Sequence, residues 1–327
     1  MKRRAFLVAT ALAPLAARSQ PAGERVRRIG ALIGYSGEDA GAQGRLAAFK
    51  EQLAARGWEE GRNLEMEVRW SDGDVKRAAE LAKEIVAQQP DIILAQSTPV
   101  TAALLRETRS IPIVFTVVSD PVGSKFVDNL SRPGGNVTGF VNIEASLAEK
   151  WVQLLSQTAP RVKRVAVMFN PETAPYAEYY LPRLNAAADA LGLTSFMATV
   201  RKPADIEELL GLLGRDRTSG LVTMVDSFLY VHRKAIISQA ARRKVPAMYF
   251  SSDWANEGGL VSYGVDVAEL FRRAAAYVDR ILRGAKPAEL PVEQPSKFEL
   301  VINAHTAKAL GLAIPQTVRL RADKVIE

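Results

Sequence analysis

Cysteine is absent from the 327 residues, and histidine occurs only at His232 and His305. Disulfide staples, thiolate zinc sites, a cysteine nucleophile and a lipid anchor on an N-terminal cysteine are therefore excluded. Both histidines fall within or beside expected helices rather than at strand ends, so no Ser/His/Asp arrangement is indicated. No GxxxxGK[ST] phosphate loop occurs, and the paired cysteines of two-lobed racemases are missing. A two-lobed α/β enzyme is thus the weaker reading, and no catalytic residue, metal ligand or cofactor is expected. The apolar stretch Ala5 to Ala17 is too short to span a bilayer. No helix-turn-helix pattern stands at the N-terminus, which argues against a repressor.

Basic residues exceed acidic ones by seven, 43 against 36. Four of the basic residues sit in positions 1–19, and the remainder are scattered, so nucleic acid is not an expected partner. Those 19 residues read as a signal peptide. Met1-Lys2-Arg3-Arg4 is a basic start, Ala5 to Ala17 an apolar middle, and Ala17-Arg18-Ser19 offers small residues at a cleavage site. Arg3-Arg4-Ala5-Phe6-Leu7 is similar to a twin-arginine signal, and Sec export is the alternative. The expected product is a soluble periplasmic protein beginning near Gln20.

Strand and helix then alternate. Apolar runs at 28–36, 63–70, 90–98 and 111–120 read as buried parallel strands. Between them lie helices, one with Leu46, Phe49 and Leu53 on a single face and another with Leu81 and Ile85. The second half repeats this order with strands at 164–172, 193–200, 220–227 and 245–253. Pro112 and Pro246 open the fourth strand of each half, and Asp120 and Asp253 close it. The pattern predicts two doubly wound parallel-sheet lobes. Arg132-Pro133-Gly134-Gly135 breaks the chain between them, and Asn136 to Asn142 is expected to cross. GGLVSYGVD (258–266) is expected to return the chain, before a helix with Leu270, Phe271, Ala274, Val278, Ile281 and Leu282 on one stripe, and the chain should cross a third time within 290–303. The expected division is 26–140 plus 265–287 for the first lobe, and 141–264 plus 288–327 for the second.

Several long strings carry a resemblance to a known family: SDPVG…LSRPGGNVTG (119–139), Asp226 at a strand end, GGLVSYG (258–264), RRAAAYVDRILRGAKPAELPVEQPSKFELVIN (272–303) and AKALGLAIPQTVRLRADKVIE (307–327). The chain resembles the periplasmic solute-binding proteins of ABC importers, in the group related to tryptophan/tyrosine-binding receptors with the type I periplasmic-binding fold. The likeness implies a monomer that closes like a Venus flytrap on a small molecule, such as an aromatic or branched amino acid, and delivers it to an inner-membrane ABC permease. A ligand sensor for a membrane signalling partner would have the same fold and is the alternative.

In open parallel sheets, ligands bind beyond the carboxyl ends of the strands. Tyr35, Ser36, Ser97, Thr98, Asp120, Asn170, Thr173, Asp226, Ser227 and Asp253 occupy those ends. Pro99 suits a first helical turn, with Thr98 as its N-cap; free N–H groups there either receive a ligand carboxylate or form an ordinary cap. Asn170-Pro171 either presents an amide to the ligand or makes an Asx turn. Asp226, which no proline follows, is the preferred partner for a ligand ammonium, and Asp120 is either a second acid or a helix cap. Tyr249, Phe250 and Trp254 pack either on the ligand or in the core. Arg272-Arg273 and Arg242-Arg243-Lys244 are expected on solvated helix faces.

Overall fold

The computed structural model describes residues 25–327; the expected signal at 1–19 lies outside them. Arg27–Ile33 (β1) leads through Ala40–Ala54 (α1), Leu64–Trp70 (β2), Val75–Ala87 (α2), Ile92–Gln96 (β3), Thr98–Glu107 (α3) and Ile113–Val118 (β4) to Val137–Val141 (β5). These five strands form one parallel sheet in the order β2-β1-β3-β4-β5. Every position of β3 and β4 is buried. That is what continuous apolar runs give when helices cover both faces of a sheet. Asp39 and Asp74 start α1 and α2, accepting from the N–H groups of Ala42 and of Lys76 and Arg77.

The second half runs Ala145–Thr158 (α4), Arg164–Phe169 (β6), Ala177–Ala190 (α5), Thr194–Thr199 (β7), Pro203–Arg215 (α6), Ser219–Thr223 (β8), Ser227–Val231 (α7), Arg233–Arg243 (α8), Ala247–Tyr249 (β9), Ser252–Asn256 (α9) and Val261–Gly264 (β10). Val267–Leu282 (α10) returns to the first lobe and packs on α1 and β4. Its buried stripe includes Leu270, Phe271, Ala274, Val278, Ile281 and Leu282, as the periodicity predicts. Glu299–Asn303 (β11), Ala304–Ala309 (α11), Gln316–Arg319 (α12) and Lys324–Ile326 (β12) finish on the second lobe. The second sheet has the order β12-β11-β10-β9-β8-β6-β7. Two α/β lobes built on parallel sheets are therefore present, with three strands of chain between them.

The structure departs from the sequence reading in four places. First, β11 runs antiparallel to β10, because it enters from the hinge rather than through a helical crossover. Second, residues 137–141 do not cross between lobes; they are the edge strand of the first sheet, and the crossing follows at Asn142. Gly139 makes this pairing feasible. At φ +152° it lies against the Phe115 backbone where the register with β4 shifts, and a Cβ there would overlap the Phe115 carbonyl oxygen. Third, the chain stays on the first lobe beyond the expected boundary at 287. Val292 N–H still donates to the Leu130 carbonyl (2.7 Å) and Glu293 N–H to that of Gly139 (2.9 Å). Fourth, Arg273 is not a solvated charge. It pairs with Glu293 and lies 4.9 Å from the centre of the Phe140 ring, anchoring the third crossing to α10.

Candidate functional site

Segments at the carboxyl ends of both sheets meet between the lobes, where the ring of Tyr35 packs on that of Tyr230, and most of the residues there are buried. On the first lobe, Ser97 occupies the N-cap position of α3 with φ +90° and no side-chain cap bond. Thr98 is therefore inside the helix, not its cap. Its Oγ1 instead accepts the Ser119 N–H at 3.0 Å, tying the end of β4 to the start of α3. Ser119 Oγ in turn donates to Asn142 Oδ1 at 2.9 Å, at the first crossing. Among the described residues, Ser97 Oγ, Asn142 Nδ2 and Gln96 Nε2 have no hydrogen-bond partner although buried. Buried polar groups are nearly always paired. Three such groups lie at adjoining strand ends of the first lobe. Val117 (φ +57°) and Asp120 (φ +45°) hold left-handed backbone beside them. For a β-branched residue this is strained, and such strain gathers at ligand sites.

On the second lobe, Asp226 is the centre of a local network. Its Oδ1 accepts from Thr173 Oγ1 (2.6 Å) and from the N–H groups of Phe228 (2.8 Å) and Leu229 (3.2 Å); Oδ2 accepts the Asn170 N–H (2.6 Å). The carboxylate thus caps α7 and fastens the end of β6 to that of β8. Burial pushes its pKa up to about 6, while the Thr173, Asn170, Leu229 and Phe228 hydrogen bonds pull the other way. Asp226 was expected to be spared for the ligand, yet its lobe already uses it four times. Asn170 makes the Asx turn, its Oδ1 accepting the Glu172 N–H at 2.9 Å. Ser227 Oγ is buried with no partner among the described residues. The Tyr176 hydroxyl donates to the Val225 carbonyl of the same lobe. Burial raises its hydroxyl well above the usual range, the Asp226 charge adds to that, and the Ser119 hydroxyl of the first lobe opposes it.

The other expected residues divide between the cleft edge and local structure. Asp120 closes its own turn, accepting the Gly123 N–H at 2.8 Å. Ser36 lies half-buried at the edge, its carbonyl accepting the Asp39 N–H at 3.2 Å. Tyr35 is buried with its ring 4.2 Å from that of Tyr230 on the opposite lobe. Asp253 faces Arg45 of the first lobe and accepts from the Tyr230 hydroxyl at 3.0 Å. Tyr249 and Trp254 are core, stacked on each other at 4.8 Å.

Gln96, Ser119 and Asn142 were not anticipated, nor were Asp39, Arg45, Tyr230 and Arg233. Arg45 alone left a trace in the sequence. It belongs to the stripe Ala42, Leu46, Phe49 and Leu53 that α1 buries, where a guanidinium has no place without a partner.

The ABC transporter substrate binding protein family matches residues 36–326. A conserved domain protein from Vibrio cholerae has the same fold, with a TM-score of 0.85 and 30% identity over 92% of this chain and all of its own. An ABC domain from Streptococcus pneumonia, solved in complex with L-Trp, aligns with a TM-score of 0.84 and 25% identity, covering 92% of this chain and 100% of that one. A tyrosine-binding protein of Clostridioides difficile is 24% identical over 278 residues, 85% of this chain and 78% of its own length.

Proposed function

Since the chain belongs to the family of ABC transporter substrate-binding proteins, we propose that it is a periplasmic receptor which closes on an amino acid with an aromatic or branched side chain and delivers it to an ABC permease. The observation that carries the reading is the set of unpartnered buried groups, Ser97 Oγ, Asn142 Nδ2 and Gln96 Nε2, at the start of α3. A carboxylate set there would accept from those groups and from the free N–H groups of the first helical turn, where the helix dipole favours an anion. The ligand ammonium is assigned to the opposite wall, at Ser227 Oγ and Asp226 Oδ2, which among the described residues accepts only the Asn170 N–H. Relatives that bind L-Trp or are named for tyrosine support an aromatic side chain. Residues 1–19 would export the chain, and among the described residues no helix is long and apolar enough to cross a membrane.

Calorimetry and thermal melting with L-tryptophan, L-tyrosine, L-leucine and glycine test this. One of the larger amino acids should bind one per chain and raise the melting temperature. At about 100 times its dissociation constant the native state gains about 2.7 kcal/mol. Equal silence from all four, for protein purified without refolding and dialysed free of ligand, would reject the amino-acid assignment.

A further inference from the structure

Four charged side chains meet across the mouth of the cleft, outside the polar groups assigned to the solute. Arg45 of α1 pairs with Asp253 of α9 on the other lobe. Arg233 of α8 pairs with Asp39 of the first lobe at 2.5 Å and with Glu257 of its own lobe at 2.6 Å. The two crossing pairs have opposite polarity, each lobe giving one acid and one base. That polarity fixes the closing register, since a shifted approach sets like charges together. Between them stands Tyr230. Arg233 lies 4.2 Å from its ring centre, Arg45 lies 4.8 Å from it, and the ring packs on Tyr35 of the first lobe.

Backbone fit supports the same contact. A Cβ on Gly41 of the first lobe would come within 3.0 Å of the Tyr230 hydroxyl, so glycine admits the ring. Gly73, at φ +73°, lies against the backbone of Ser227 and Phe228 across the cleft in the same way. Burial works to raise the Asp39 carboxyl, yet the Ala42 N–H and Arg233 outweigh it and hold it below the usual range. Arg45 and Arg233 are only 5% and 3% exposed. Guanidinium groups so buried need their partners, and Arg45 has its carboxylate only while the lobes are together.

We infer that Arg45, Asp253, Asp39 and Arg233 are a latch that draws the lobes together without contacting the solute, and so governs how long the closed cleft retains it. The effect on retention rests on the solute-binding reading above; closure of the empty protein does not.

Because the chain has no cysteine, spin labels can be placed at Glu80→Cys on the first lobe and Ser238→Cys on the second, both exposed. Interlobe distances are then measured on ligand-free protein. The parent should show a short-distance population matching the closed structure. Arg45→Ala with Arg233→Ala should cut that population about tenfold or more. The near-isosteric Asp39→Asn with Asp253→Asn should reproduce the loss, and Asp253→Ala should add little to Arg45→Ala, as expected for two partners of one contact. Circular dichroism and urea unfolding of each variant first establish that it is fully folded under the labelling conditions, so that a lost short-distance population reports lobe opening and not unfolding. An unchanged distribution in both double variants overturns the latch, as does a parent with no short-distance population. Adding L-tryptophan or L-tyrosine to the parent examines the other reading separately: failure to shift the distances counts against the amino acid and not against the latch.

Discussion

Replacing Asp226 by alanine removes the acceptor for four donors at once: the Thr173 hydroxyl and the N–H groups of Asn170, Phe228 and Leu229. The site is 2% exposed, so water replaces the carboxylate poorly. A buried donor left unpaired costs about 1–3 kcal/mol, and relaxation recovers part of the total, which leaves an expected loss of about 4 kcal/mol. Against a typical stability of about 5–15 kcal/mol this is a folding lesion before it is a binding one. Asp226→Asn keeps one acceptor oxygen for the α7 cap but turns an amide donor toward a donor, and should cost about 2 kcal/mol. Urea unfolding followed by circular dichroism reads both as a lower midpoint at constant slope.

The same carboxyl has a pH signature. Its pKa is raised from 3.8 to about 6 in the folded chain, so between those values the folded state keeps a proton that the unfolded state has released. Its contribution is full below the lower value, falls as pH rises through the window, and is flat above about 6, a change of about 3 kcal/mol. Asp226→Asn should abolish that slope. An alanine variant within 1 kcal/mol of the parent, or a slope that survives in the asparagine variant, would refute the role given to this network.

Thr98→Val leaves the fully buried Ser119 N–H without its acceptor and should cost about 1–3 kcal/mol in a urea titration; an unchanged midpoint would mean that this bond is dispensable. Gly139→Ala meets both the φ of +152° and the Phe115 backbone, and should cost roughly 2–5 kcal/mol while loosening β5; hydrogen exchange at Val137 and Val141 no faster than in the parent would contradict this.

The strands were legible because a parallel sheet covered on both faces writes itself as apolar runs, of which IPIVF at 111–115 is an example. Helix starts were less legible. Thr98 and Ser97 are both sound N-cap types, and only the turn of Ser97 into left-handed backbone settles which one begins α3. The place of the strand at 137–141 is hidden for a related reason. Its apolar pattern is the same whether it crosses to the next lobe or joins the first sheet, and the choice rests on pairing with β4, more than twenty residues earlier.

Long separation hides the site in the same way. Asp226 reads as a free acid until Thr173 and Asn170, 53 and 56 residues before it, are seen to occupy it. Arg45 and Asp253 stand 208 residues apart, and Asp39 and Arg233 stand 194 apart. No local rule couples such positions. What the sequence offers is an inconsistency, a charge on a stripe that otherwise buries alanine, leucine and phenylalanine, and that inconsistency requires a partner without naming one. The partner lies on the opposite lobe, so the demand that Arg45 makes on α1 is met across the contact between the lobes. A residue that looks misplaced within one lobe is thus explained by the contact between two.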